Sequence, residues 1–255
     1  AVQDEITEQV VGTIAGASGV IFRARLAEVR KKPTENLGAY ETVLQTVAYY
    51  SGGPSAPQHA RLRDALERAV KSDPSYSDAW VCLSGIYLDE DRFNFNPRPN
   101  PLDRAMDAAQ RAVALDPASQ YAHHALAGVH FNRQDLDAFF DEAERAIALN
   151  PNHAYLLGSL GMRFERAGDA RGIALVRKAM KLDPFPPPVS YLPIVDYHFK
   201  KGEVEEALAA ARKINLPGFF LPQILLAAIY AELDREKEAR SAVEELLRLR
   251  PGFNV

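Results

Sequence analysis

Four of the six histidines cluster in mid-chain: His123, His124, His130 and His153. Imidazoles are the commonest zinc ligands and the usual general bases near neutral pH. His123 and His130 are seven residues apart, two helical turns, and could face one side of a helix. A zinc site needs a third converging ligand, and no other residue is placed by spacing to supply it. Cys82 is the only cysteine, which excludes a thiolate cluster and an intrachain disulfide. The carboxylates are dispersed, and pairs such as Asp141–Arg145 and Glu205–Arg212 read as charge on helix surfaces. G-x-S-x-G, H-E-x-x-H, Walker, G-x-G-x-x-G and C-x-x-C patterns are all missing from the sequence. The expectation is a non-catalytic chain with no metal and no cofactor, in which the histidines pack as structural side chains.

The elements that would hold these residues follow a period. Between Ala118 and Pro151, apolar residues recur three and four apart in two runs, broken by Asn132-Arg133-Gln134-Asp135. That is a helix, a tight turn, a second helix and a proline stop. Prolines end the helical runs at Pro74, Pro117, Pro151, Pro184, Pro217 and Pro251, with spacings of 43, 34, 33, 33 and 34. Trp80, Leu83, Ser84 and Tyr87 fit W-x-x-L-G-x-x-Y, with Ser for Gly. Large residues fill the gap between paired helices and a small one lets them approach. The pattern continues through Leu160-Gly161 and Phe164, and through Leu226-Ala227 and Tyr230. In the unit 118–151, His123 and His130 stand where Trp and Tyr are expected.

This period and these offsets resemble tetratricopeptide repeats. The resemblance implies an all-α, right-handed superhelical solenoid of about five to six helix-turn-helix repeats. The units fall at about 37–74, 75–117, 118–151, 152–184, 185–217 and 218–251. The segment 1–36 reads as an N-terminal helical region, with Val2, Ile6, Val10 and Ile14 on one stripe and a second helix stopping at Pro33.

In such a solenoid the first helix of each hairpin lines the concave face. Counting from the motif, the inward residues are Val81 and Leu88, then Tyr121, His124, Phe131 and Asn132. Tyr155, Met162 and Arg166 follow, and then Tyr191, His198 and Phe199. Aromatic and Met side chains on a concave face suit partner anchors. The occupant is either a protein or peptide ligand or a second copy of the chain. The Lys–Asn–Arg clamp of chaperone-binding relatives is not matched, since Val81, His124 and Gly158 stand there. A segment of about nine extra residues follows Asp89, and Pro97, Pro99 and Pro101 forbid a helix in it. Its Phe93 and Phe95 either tuck against neighbouring helices or meet a partner.

Composition narrows the function further. Apolar residues make up 47% of 255, enough for a substantial core, and the net charge is -4. That balance disfavours nucleic-acid binding, which needs a basic face. No stretch reaches the roughly 18 apolar residues of a membrane span. The acidic start lacks the features of a signal peptide. A single cysteine fits a reducing, cytoplasmic setting. The missing initiator Met and the abrupt last residues suggest a piece of a longer protein.

Two short motifs carry a narrower resemblance. Ala1-Val2-Gln3-Asp4-Glu5-Ile6-Thr7 resembles the close of a TolB-like domain. Lys31-Lys32-Pro33-Thr34-Glu35-Asn36-Leu37-Gly38-Ala39-Tyr40 resembles the link from that domain into tetratricopeptide repeats. The arrangement is similar to the C-terminal half of bacterial class III adenylate/guanylate cyclases, and some winged-helix transcription regulators share it. The resemblance implies that 1–36 closes an upstream domain and that 37–255 is a regulatory or localising module. The cyclase's own metal and nucleotide residues map to nothing here.

Overall fold

A computed structural model describes residues 38–253 apart from 184, 185 and 187. The expected helices within 1–36 and the helix-ending Pro184 lie outside the described residues. Among the described residues there are twelve α-helices, one 3-10 turn and no strand. The helices form six hairpins: α1 (Ala39–Gly52) with α2 (Ala56–Ser72), α3 (Ser77–Phe93) with α4 (Pro101–Leu115), and α5 (Gln120–Asn132) with α6 (Leu136–Leu149). Then come α7 (Ala154–Arg166) with α8 (Arg171–Leu182), α9 (Leu192–Lys200) with α10 (Val204–Ala211), and α11 (Leu221–Glu232) with α12 (Glu236–Leu249). Hairpin partners pack closely on each other, and the hairpins stack in chain order into a solenoid.

Local chemistry sets the junctions. Asp73, Asp116 and Asn150 each precede a proline and accept the backbone N–H two residues on, at 3.2, 3.1 and 3.2 Å. These Asx turns close one hairpin, and the proline prevents the helix from continuing. Within the hairpins, the turn needs a left-handed residue. Gly168 and Gly202 fill it at φ 81° and 73°, and Gln134 and Asp234 at 63° and 55°.

The small position of the motif does what the spacing implies. In the fourth hairpin a Cβ on Gly161 would lie 2.8 Å from the Gly172 carbonyl oxygen, and one on Gly172 2.4 Å from the Glu165 backbone nitrogen, so α7 and α8 touch backbone to backbone. In the second, Ser84 replaces glycine and its hydroxyl donates to the Ala105 carbonyl at 2.9 Å, joining α3 to α4. The two altered positions of the third hairpin are also explained. Trp80 is half-buried and its Nε1–H donates to the Pro74 carbonyl at 3.0 Å. His123 makes the same bond to Pro117 at 3.0 Å and adds Glu142 at 2.5 Å. His130 bonds Asp135 at 3.1 Å across its hairpin turn, as His198 bonds Glu203 at 2.6 Å.

The inserted segment does more than lengthen a turn. Asn94, Asn96 and Asn100 all adopt positive φ, 54°, 46° and 54°, which asparagine tolerates best after glycine. Glu90, fully buried on α3, holds the loop. It accepts from the Arg98 backbone N–H at 2.8 Å, from Arg63 at 3.2 Å and from both terminal nitrogens of Arg104. Arg63 also donates to the Asn96 carbonyl at 2.7 Å, and the Asn96 side chain to the Ala56 carbonyl at 2.7 Å.

So braced, the loop carries its two phenylalanines to the far end of the chain. Phe93 meets Phe219 and Phe220 with ring centroids 5.5 and 6.1 Å apart, edge to face. Phe95 is buried in the same core, which includes Leu208, Leu216 and Ile229. Gly53, after α1, also abuts Phe219 and Leu216. The solenoid therefore curls until its second hairpin touches the lead-in to its sixth.

Candidate functional site

The curl leaves a cavity of about 410 Å³ that is open on one side. One wall comes from the ends of the first helices α3, α5 and α7: Arg92, Phe93, Phe131, Asn132, Met162 and Arg166. The facing wall is Phe220 and Leu221 at the start of α11, with Arg250 and Phe253 beyond α12. Arg163 and Asp91 complete the lining.

Small residues make room for large side chains nearby. Gly128 on α5 leaves room for the Arg163 guanidinium, whose Nη2 would lie 3.4 Å from a Cβ placed there. Gly85 on α3 does the same for the Tyr50 hydroxyl, at 2.8 Å. A side chain at either position would push its neighbour aside.

Arg163 is buried, and its Nη1 donates to the Ser159 carbonyl at 3.0 Å and hydroxyl at 2.6 Å. Burial, with Arg92 next in weight, lowers its pKa to about 10, which leaves it charged at neutral pH. Among the described residues no carboxylate forms an ion pair with it. Arg92 lies 3.8 Å from Asp89, and Arg166 lies 3.5 Å from Asp196. Arg250 stacks on Phe220 and Phe253, 4.6 and 5.7 Å from the ring centroids. Asp89, fully buried behind Arg92, accepts from the Tyr49 hydroxyl at 3.0 Å. Burial pushes its carboxyl up to about 6 against the opposing pull of Arg92 and the two tyrosine hydroxyls.

The Ser159 hydroxyl, which accepts from Arg163, also lies 2.8 Å from His124 Nε2. A Ser–His contact is the geometry of an activated nucleophile. Here burial, then Arg163 and His153, push His124 down to about 3, which makes it a poor proton acceptor. The contact joins α5 to α7. Among the described residues no group of three potential metal ligands converges.

The concave residues expected from the sequence separate into three sets. Phe131, Asn132, Met162 and Arg166 meet in the cavity, joined by Phe93 of the loop. Tyr121, His124 and Tyr155 form a second, more open patch. Tyr121 bonds His153 at 2.8 Å, and His124 contacts the Tyr155 ring at 5.9 Å between centroids. The remainder lie elsewhere. Leu88 is in the hydrophobic core, because α3 and α5 approach over side-chain-less Gly128, and Val81 packs against the same core. Tyr191 and Phe199 pack on the C-terminal core, with Lys213 over the Tyr191 ring, and His198 is held in its turn. Phe95 is core and not an open loop contact. Arg92, Arg163, Arg250, Phe220 and Phe253 were not expected. Their signal in the sequence is weak: Arg92 and Arg163 come late in a first helix, and Arg163 follows the expected Met162.

No protein family matches the sequence, and no curated protein does. Solved structures do match in fold. PilF of Pseudomonas aeruginosa is 17% identical, with 84% of this chain and 93% of that one covered at a TM-score of 0.53. TTC0263, a thermophilic TPR protein of Thermus thermophilus, is 17% identical over 81% of this chain and 100% of that one, at 0.57. The fold is the tetratricopeptide solenoid. Human IFIT1, solved as a dimer with m7Gppp-AAAA, reaches 0.66 at 16% identity, with 85% of this chain and 51% of that one covered. At these identities the likeness is one of fold alone. Among the described residues no helix is long and apolar enough to cross a membrane.

Proposed function

We propose that this chain is a non-catalytic interaction scaffold that holds an extended protein segment along its concave face. The observation that carries the reading is the pair Tyr121 and Tyr155. They sit on successive first helices, 37% and 40% exposed, and are steadied by His153 and His124. Aromatic rings already held in place lose little freedom on binding, which suits them as anchors. The test is selection of peptides from a random displayed library on the purified chain, followed by anisotropy titration. Tyr121→Ala with Tyr155→Ala should weaken the selected peptides at least tenfold and leave the melting temperature in place. Unchanged affinity would overturn the reading.

The motifs at Ala1–Thr7 and Lys31–Tyr40 support a narrower assignment. By that resemblance, residues 37–255 serve as the regulatory or localising module of a cytoplasmic nucleotide-cyclase-type signalling protein, and 1–36 close its TolB-like domain. Incubation of this chain alone with ATP or GTP and Mn²⁺ should yield no cyclic nucleotide. Turnover would refute the non-catalytic assignment.

A further inference from the structure

We propose that the arginine-lined cavity recognises acidic side chains, so that the segment held in the groove carries carboxylates flanking an apolar residue. This rests on the groove reading above and specifies its ligand.

Charge is the first reason. Four guanidinium groups (Arg92, Arg163, Arg166 and Arg250) line one cavity of a chain whose net charge is -4, and Asp91 is the one carboxylate among the described lining residues. Asp89 and Asp196 partly answer Arg92 and Arg166, at 3.8 and 3.5 Å. Arg163 and Arg250 form no ion pair among the described residues, though the Asp89 carboxylate also feels the Arg163 charge. A buried cation with only neutral acceptors, among other cations, is costly to hold. Folding a protein around such a cluster is explained most simply by an anion that joins it, since guanidinium forks bind carboxylates in two-pronged fashion.

The walls are the second reason. Phe131 and Met162 share a wall with Arg92 and Arg166, and Phe220 shares one with Arg250, so apolar surface lies beside the charges. A ligand that satisfies both must present an apolar side chain and an anion within a few ångströms. An acidic peptide does this with neighbouring residues. A nucleic-acid strand fits less well. Its phosphates continue beyond one cavity of about 410 Å³ and would run onto the surface of a net-acidic chain.

The experiment uses the 255-residue chain and two fluorescein-labelled hexapeptides, Asp-Asp-Phe-Asp-Asp-Leu and its Asn-for-Asp isostere, titrated by anisotropy. The Asp peptide should bind at least tenfold tighter than the isostere, and added salt should shrink the margin. Arg166→Glu, an exposed change, should abolish the margin, and Arg163→Met, which keeps the volume, should reduce it several-fold. Circular dichroism melts establish that both variants fold. Equal affinity for the two peptides, or a margin that survives Arg166→Glu, would overturn the inference and leave the tyrosine-dependent groove standing. Displacement of the Asp peptide by a short RNA of equal charge at lower concentration would also overturn it. Loss of both this margin and the tyrosine dependence would sink the groove reading with it.

Discussion

Replacing Glu90 should unfasten the two ends of the solenoid from each other. Its side chain is fully buried, beside Arg63 at 6% exposure and Arg104 at 25%. Glu90→Ala leaves buried Arg63 with only half-exposed Asp64, 3.5 Å away, as counter-charge and removes the acceptor of the Arg98 backbone N–H. Stranding one member of a buried ion pair costs about 3–5 kcal/mol. For a chain of this size that is a fall in melting temperature of roughly 6–20 °C. Glu90→Gln keeps the volume and some of the acceptance, so its cost should be nearer 1.5–3 kcal/mol, roughly the worth of a hydrogen bond to a charged group. The effect should also travel. The loop that Glu90 braces delivers Phe93 and Phe95 to Phe219 and Phe220, so amide exchange should rise at residues 216–220, far from the substitution in sequence. The assays are a thermal melt and hydrogen–deuterium exchange by mass spectrometry. A melting point within about 2 °C of the parent, with exchange at 216–220 unaltered, would refute the reasoning.

Glu90 and its neighbour Asp89 should respond oppositely to pH. Burial alone would raise the Glu90 carboxyl, but bonds from Arg104, the Arg98 N–H and Arg63 hold it below its ordinary value, so its contribution is present at neutral pH and lost on acidification. Asp89 is raised to about 6, so its contribution is complete below 3.8 and lost as pH climbs through 6. Asp89→Asn should therefore gain on the parent by roughly 3 kcal/mol between pH 4 and pH 8 in urea melts. Gly172→Ala forces a methyl against the Glu165 backbone, and a cost of about 1–3 kcal/mol or more should appear in the same melts. Trp80→Phe removes the bond to the Pro74 carbonyl and should cost about 1 kcal/mol by thermal melt, with no change in helix content.

The architecture was legible because each repeat solves the same local problem. Asp-Pro or Asn-Pro closes four of the six units in the sequence, a small residue lets two helices touch, and apolar spacing turns both inward. Even the altered third repeat obeyed these rules, with His123 reproducing the Trp80 bond. The site was less legible because it depends on contacts without a period. Counting offsets put Leu88 in the groove, yet Gly128 opposite it draws two helices together and buries it. The same glycine makes room for Arg163, which offsets alone do not place in the cavity. Phe93 and Phe95 were recognised as needing a berth. Their berth belongs to residues 216–220, and no local pattern links those segments.

The meeting of Phe93 with Phe219 alters how this chain should fold. In an open stack each repeat couples only to its neighbours, and unfolding can begin at either end and spread like a zipper. Here the second and sixth repeats hold each other, so fraying at one end loosens the other. Bringing two such distant segments together from an unstructured chain costs roughly 4 kcal/mol in the logarithmic term alone. The intervening hairpins, once formed, deliver the rings to each other and remove most of that barrier. The aromatic contact should thus form last in folding and break first in unfolding.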